Sequence, residues 1–339
     1  MDRTFVTGAT GFIGRNVVDD LRGRGHEVIC LVRSRQRAAP LAAAGARLVE
    51  GSLDDVGPWR EHLRGCDVVI HLGGLVAEAR PGRLEAVNGD ATGRFAAACA
   101  ARDAPPIFVH VSSLAALGPV PRDGSLAVES ASPAPVSRYG HSKRSGERAV
   151  AAVAADMPIT ILRPGVVFGP HDTKLAQLFQ MIHRMRLHLV MGFREPPLSL
   201  IHVTDLTRLL AEVIERGERL PPRSEAAAAG TGIYHAVDDR IHPTYGGLGR
   251  RIARVLDRGL VVVPLPIGVA WPITVVVERG WRLAGQGSII SPDKLREATA
   301  TSWAASGGKA RLGLGFTAAD PLDVRLAQTA DWLRSRRLL

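Results

Sequence analysis

Lysine, tyrosine and cysteine are all scarce in this chain. Its 339 residues contain four Lys, three Tyr and three Cys, and Phe, Trp and Tyr together make up 5%. Cys30, Cys66 and Cys99 lie far apart in an odd-numbered set with no metal-type spacing. That excludes a disulfide framework and a zinc site, and it fits a reducing compartment. No metal is expected, and His71, His110 and His202 lie in or beside apolar runs, where they read as structural. The opening Met1-Asp2-Arg3-Thr4 lacks the charged-then-apolar layout of a secretory leader, so the expected location is the cytoplasm. The formal net charge is +10. It is carried almost entirely by scattered Arg, with no basic block and few aromatics for base stacking, so no nucleic-acid partner is expected.

Apolar rhythm is plentiful. Strand-like runs at 4–8, 26–33, 46–51, 66–72, 106–113 and 158–164 alternate with helix-period runs at 12–21, 84–102 and 138–155. Continuous apolar strands between amphipathic helices predict an α/β fold, a doubly wound parallel sheet of Rossmann type. After Pro164 the pattern loosens. A loop is expected over 166–173 and a helix over 175–186. A second helix, within 201–217, is expected to be capped near Thr204 or Asp205, followed by an Ala-rich loop over 221–232 and a strand over 232–237. The expected division is a dinucleotide-binding unit, 1–167 with 200–238, and a smaller, mainly helical C-terminal substrate unit, 168–199 with 239–339.

The phrase "TGATGFIG" places Gly8, Gly11 and Gly14 between the first strand and the first helix. Gly8 permits the tight turn, Gly11 lets backbone approach a pyrophosphate, and Gly14 lets helix pack on strand. The phosphates would sit on the helix N-terminus, where free N–H groups favour anions. Gly8, Thr10, Gly11, Phe12, Ile13 and Gly14 are therefore the candidate cradle. The second strand ends Val32-Arg33, with no acid to hold ribose hydroxyls. A guanidinium suits a 2′-phosphate, so NADP(H) is the expected cofactor, with NAD(H) the alternative.

"YGHSK" spends one of the three Tyr and one of the four Lys on a single helical turn. In order along the chain come "TGATGFIG", "GSLDD" at 51–55, "HLGG" at 71–74, "VSS" at 111–113, "YGHSK", "RPGVVFGP" at 163–170 and "IHVTDL" at 201–206. By these motifs the whole chain resembles an extended short-chain dehydrogenase/reductase, of the NAD-dependent epimerase/dehydratase superfamily. The resemblance implies that Tyr139 is the general acid/base, that Lys143 lowers its pKa and holds the nicotinamide ribose, and that Ser113 orients the substrate oxygen. It also places Leu53 and Asp54 at the adenine, Gly73 under the cofactor, and Pro164 and Val166 near the nicotinamide. It further implies a homodimer built on helices 84–102 and 138–155.

Within that family the chain is nearest to the 3β-hydroxysteroid dehydrogenase and dihydroflavonol reductase-like branch. Nucleotide-sugar members carry an Arg before the "IHV" segment, and here Leu198 stands in its place. The expected activity is hydride transfer between NAD(P) and an apolar hydroxy or keto compound of sterol, flavonol or β-keto type. The rivals are a nucleotide-sugar epimerase/dehydratase with bound NAD and a non-catalytic dinucleotide-binding assembly or sensor protein.

The run "LVVVPLPIGVAWPITVVV", 260–277, carries no charge. Pro264, Pro266 and Pro272 argue against one uninterrupted helix. A short strand, a proline turn and a helix from Ile267 or Trp271 are expected. Two compatible uses are expected for that helix, to roof a pocket for an apolar substrate and to give peripheral membrane contact through 260–282.

Overall fold

The computed structural model describes residues 2–121, 123–222, 229–283 and 291–339, so most of the expected Ala-rich loop lies outside the described residues. The first six strands are β1 (Arg3–Thr7), β2 (Glu27–Val32), β3 (Arg47–Glu50), β4 (Val68–His71), β5 (Ile107–Val111) and β6 (Ile159–Pro164). Then come β7 (Val166–Phe168), β8 (Leu187–Met191), β9 (Leu200–His202), β10 (Ile233–Ala236) and β11 (Val261–Leu265). Seven of them form one sheet in the order β10-β6-β5-β4-β1-β2-β3. Every pairing in it is parallel. The chain switches direction across the sheet between β1 and β4. In such a sheet a crevice opens there, beyond the carboxyl ends of the strands.

Both faces of the sheet are covered, which is why its strands are apolar throughout. On one face Val17, Val18 and Leu21 of the Phe12–Gly23 helix pack with Leu206 and Leu210 of the Val203–Arg216 helix. On the other, Phe5, Trp59, Phe95 and Phe108 form an aromatic cluster backed by Val150. Truncating Phe95 to Ala would cost about 3–5 kcal/mol. A third cluster joins Phe179, Ile252 and Leu326, one from each of the Thr173–Met185, Tyr245–Val255 and Leu322–Ser335 helices. All three cysteines are buried and free. His71 is pinned between two hydroxyls, Thr7 Oγ1 at 2.7 Å and Thr92 Oγ1 at 3.0 Å, and burial pushes its pKa down to about 3.

Three local expectations are corrected, and a fourth holds with an addition. The helix expected over 84–102 is broken by a π-helical turn, Ala86–Ala91, in which Thr92 Oγ1 donates to the Val87 carbonyl. The loop expected over 166–173 begins with β7, which pairs in parallel with β9. The cap of the Val203–Arg216 helix is His202, whose Nδ1 accepts from the Thr204 N–H. Asp205 does not cap; it is buried against Arg325 through two hydrogen bonds of 2.9 and 3.0 Å. Finally, the 260–277 run does give a strand and a helix from Ile267, but the strand finds an unforeseen partner. β11 pairs with β8 to make a separate two-stranded sheet.

Candidate active site

The glycine loop is constrained by backbone on all sides. Gly8 has φ +71°, and a Cβ there would meet the Leu72 carbonyl at 2.7 Å. A Cβ on Gly14 would lie 2.3 Å from the Gly8 carbonyl oxygen. Gly11 is the N-cap of the Phe12–Gly23 helix and no side chain caps it, so its first N–H groups face the crevice unshielded. This is a cradle for an anion, and the residues present fit a dinucleotide pyrophosphate.

Two cavities meet at this loop. One, of about 530 Å³, is lined by Gly8, Gly11, Phe12, Ile13 and Gly14 at one end and by Ser113, Tyr139, Lys143, Pro164 and Val166 at the other. The second, of about 350 Å³, shares Gly8 and Gly11 and runs on past Thr10, Arg33, Leu53, Asp54 and Gly73. Every candidate residue read from the sequence therefore lines one continuous cleft. Arg33 is exposed there without an ion pair to any described residue, whereas Asp54 is engaged by Arg83 at 3.1 Å and by Arg94 at 3.7 Å.

Ser137 caps the Arg138–Ala151 helix by accepting from the Gly140 N–H, which sets the first turn and so places Tyr139. Lys143 follows one turn later on the same face and is buried, its Nζ donating to the Val111 carbonyl at 2.8 Å. Burial pushes the Lys143 pKa down to about 8, against the pull of Glu147. Burial raises the Tyr139 phenol to about 12, with Ser113 opposing and Glu297 adding to the rise. The lowering of Tyr139 expected from Lys143 is thus absent: the ammonium is turned to Val111, and loss of water dominates the phenol. Ser113 sits where β5 gives way to the Leu114–Leu117 turn, its Oγ accepting from the Ala115 N–H.

Several residues here escaped the sequence reading. Glu147 lies one turn beyond Lys143 and is clamped by Arg163 from β6 and by Arg144. Asn88, on the π-helical turn, bonds both the N–H and carbonyl of Leu75 and the Ser142 hydroxyl, fixing the loop after β4. Lys174 and Lys294 also line the larger cavity, and the Lys294 ammonium sits 4.6 Å from the centre of the Tyr139 ring. Lysine scarcity singled out Lys143 in the sequence but not the other two, although three of only four Lys reach this one cavity.

A third cavity, about 480 Å³, opens from Ser113 and Tyr139 away from the glycine loop. Its walls include Leu114, Met191, Pro196, Leu198 and Trp303, with Glu195, Lys294 and Glu297 as the charged groups. Lys294 is paired with Glu297 at 2.7 Å. The helix Ile267–Leu283 contributes no described residue to any of the three cavities. The pocket-roof role expected for it is taken instead by the Pro292–Ala298 helix, which supplies Lys294, Glu297 and Ala298.

Two reductases and one solved epimerase are similar to this chain. A ceramide reductase of Caulobacter vibrioides is 31% identical over 97% of this chain and 94% of its own length. A 4-hydroxy-2-methyl-3-oxo-4-farnesyl-3,4-dihydroquinoline-1-oxide ketoreductase of Stigmatella aurantiaca is 34% identical over 63% of this chain and 65% of that protein. Among solved structures, the fold of a UDP-glucose 4-epimerase from Thermotoga maritima superposes with a TM-score of 0.78 at 19% identity, covering 99% of each chain. Residues 4–225 match the profile of the NAD dependent epimerase/dehydratase family. With its parallel sheet, its glycine cradle and that match, the chain belongs to the NAD dependent epimerase/dehydratase family.

Proposed function

We propose that this protein is an NADP(H)-preferring oxidoreductase acting on an apolar hydroxy or keto compound of sterol, flavonol or β-keto type. The observation that carries the reading is the wall of the 480 Å³ cavity. Leu198 stands on that wall, and the single lysine there is already paired with Glu297. A sugar diphosphate would meet Glu195 and Glu297 with no free cation from the described residues of that wall. The names of the two reductase relatives point the same way.

The bound nicotinamide supplies or accepts the hydride. Tyr139 moves the proton at the substrate oxygen, and Ser113 holds that oxygen. Lys143 orders the floor of the cleft and would bond the cofactor ribose. Gly8, Thr10, Gly11, Phe12, Ile13 and Gly14 would hold the pyrophosphate, with Leu53, Asp54 and Gly73 serving the adenosine half and Pro164 and Val166 the nicotinamide end. Arg33 would hold the 2′-phosphate. The walls of the cavity keep water from the reacting carbon. A non-catalytic role is disfavoured because Ser113, Tyr139 and Lys143 all line one cavity beside the cradle. The protein is proposed to act as a homodimer through the helical stretches that flank its sheet at 84–102 and 138–155.

The test is a screen following NADPH absorbance, with ketosteroids and long-chain β-keto compounds beside UDP- and dTDP-sugars. Net NADPH consumption with an apolar ketone is the expected result. Conversion of a nucleotide sugar with no net change in cofactor would replace this reading with the epimerase one.

A further inference from the structure

More than half of the large apolar side chains exposed among the described residues fall in just three segments, 185–193, 261–263 and 267–281. The three are neighbours. Leu189 of β8 sits directly across from Val263 of β11, and both point outward. β11 runs through Pro266 into the Ile267–Leu283 helix, and Ile267 lies against Gly192, beside Phe193. Along that helix Ala270 and Thr274 are buried, while Val269, Trp271, Ile273 and Val276 face outward. Phe193 is 77% exposed and Val276 70%. Contiguous apolar surface of this kind on a globular protein marks an interaction site.

Charge identifies the partner. Arg184, Arg186, Arg194, Arg258 and Arg279 are exposed in or beside these segments, and none forms an ion pair with a described residue. Of the acids in the same segments, Glu195 accepts from the Gly246 N–H and Glu278 pairs with Arg138, which leaves Asp257. An apolar face with exposed Trp and a fringe of unpaired Arg matches the layered chemistry of a bilayer surface bearing anionic headgroups. No helix among the described residues is long and apolar enough to cross a membrane, so the contact is peripheral. The same elements also reach the cavity. Met191, the last residue of β8, lines it, and Arg138 ties the Ile267–Leu283 helix to the helix bearing Tyr139.

We infer that the face built from β8, β11 and the Ile267–Leu283 helix docks on an anionic membrane surface, with the 480 Å³ cavity opening beside the contact. Docking is read without turnover, so its failure and the failure of the hydride-transfer reading are separable. The experiment is co-sedimentation of the full chain with vesicles of phosphatidylglycerol and phosphatidylcholine, against phosphatidylcholine alone. Wild type should bind the anionic vesicles at least about tenfold more tightly, with binding falling as salt rises. The double variant Phe193→Ser/Val276→Ser should lose about tenfold or more while keeping its melting temperature and its NADPH affinity. Absence of wild-type binding at low salt would overturn the inference, as would equal binding by the variant. So would a solution dimer that the double variant converts to monomer without any vesicle association, since the face would then belong to a second copy.

Discussion

Arg163 and Glu147 meet side-on inside the protein, through two hydrogen bonds of 2.8 Å from Nε and Nη2 to the two carboxylate oxygens. Both are almost fully buried. The pair joins β6 to the helix that carries Tyr139 and Lys143. Its value lies in geometry more than in net energy, because burying two charges offsets much of their attraction. Removing one partner is a different matter. Glu147→Ala should lower stability by about 3–5 kcal/mol by leaving Arg163 charged and unpaired in the core. Chemical denaturation would measure it, and a loss below about 1 kcal/mol would mean that water reaches Arg163.

Tyr139→Phe should reduce turnover by roughly a hundredfold or more and leave cofactor affinity intact, because only the proton donor is removed. Lys143→Met should reduce both turnover and affinity. Steady-state rates paired with a cofactor titration separate the two. Retention of more than about a tenth of wild-type turnover by Tyr139→Phe would remove the phenol from the proton path.

Lys143 also gives stability a pH signature. Its folded pKa, near 8, lies below the ordinary lysine value of 10.5. Between those values the unfolded chain binds more protons than the folded one, so this residue makes stability rise with pH there. Below about pH 8 the full cost of burying the ammonium is present. The stability of Lys143→Met relative to wild type should therefore fall by about 1–3 kcal/mol from pH 8 to 10.5. Melting curves of the cofactor-free proteins across that range would show it, and a flat difference would place the folded pKa at its ordinary value.

Arg33→Ala should weaken NADP(H) binding by about 1.5–3 kcal/mol more than NAD(H) binding, the value of a charge-assisted hydrogen bond. Calorimetric titration of both cofactors reads the difference directly. Equal losses, or a wild-type preference for NAD, would assign the 2′-phosphate contact elsewhere.

Local patterns carried the core of the fold. Six of the seven sheet strands are short apolar runs between helical periods, and the glycine loop announces its own turn. Tyr139 and Lys143 are one helical turn apart, so their shared face needs no tertiary knowledge. The misses are all long-range or geometric. β8 and β11 pair across more than sixty intervening residues, and neither segment alone says which partner it takes. Glu147 and Arg163 look like two ordinary charges among many until the helix docks on β6. Asn88 becomes visible as a structural hub only once the helix widens into a π turn, which no apolar period encodes. Leu198 was informative at the level of sequence because it replaces a charge with an apolar group, and its place on the cavity wall gives that substitution a neighbour-by-neighbour meaning.

The three thiols have a consequence of their own. Each is buried, and burial lifts Cys30 to about 12 and Cys66 to about 11, with Cys99 higher still. Thiolate is the reactive form, so the native molecule should be silent to alkylating and disulfide reagents. The three sit on different elements: Cys30 on β2, Cys66 just ahead of β4, and Cys99 on the Thr92–Ala100 helix. Any labelling that does occur must pass through an opened state, so the order in which the three positions react would time the release of each element from the sheet. The natural chain is its own set of site-specific clocks for partial unfolding, with no engineered cysteine needed.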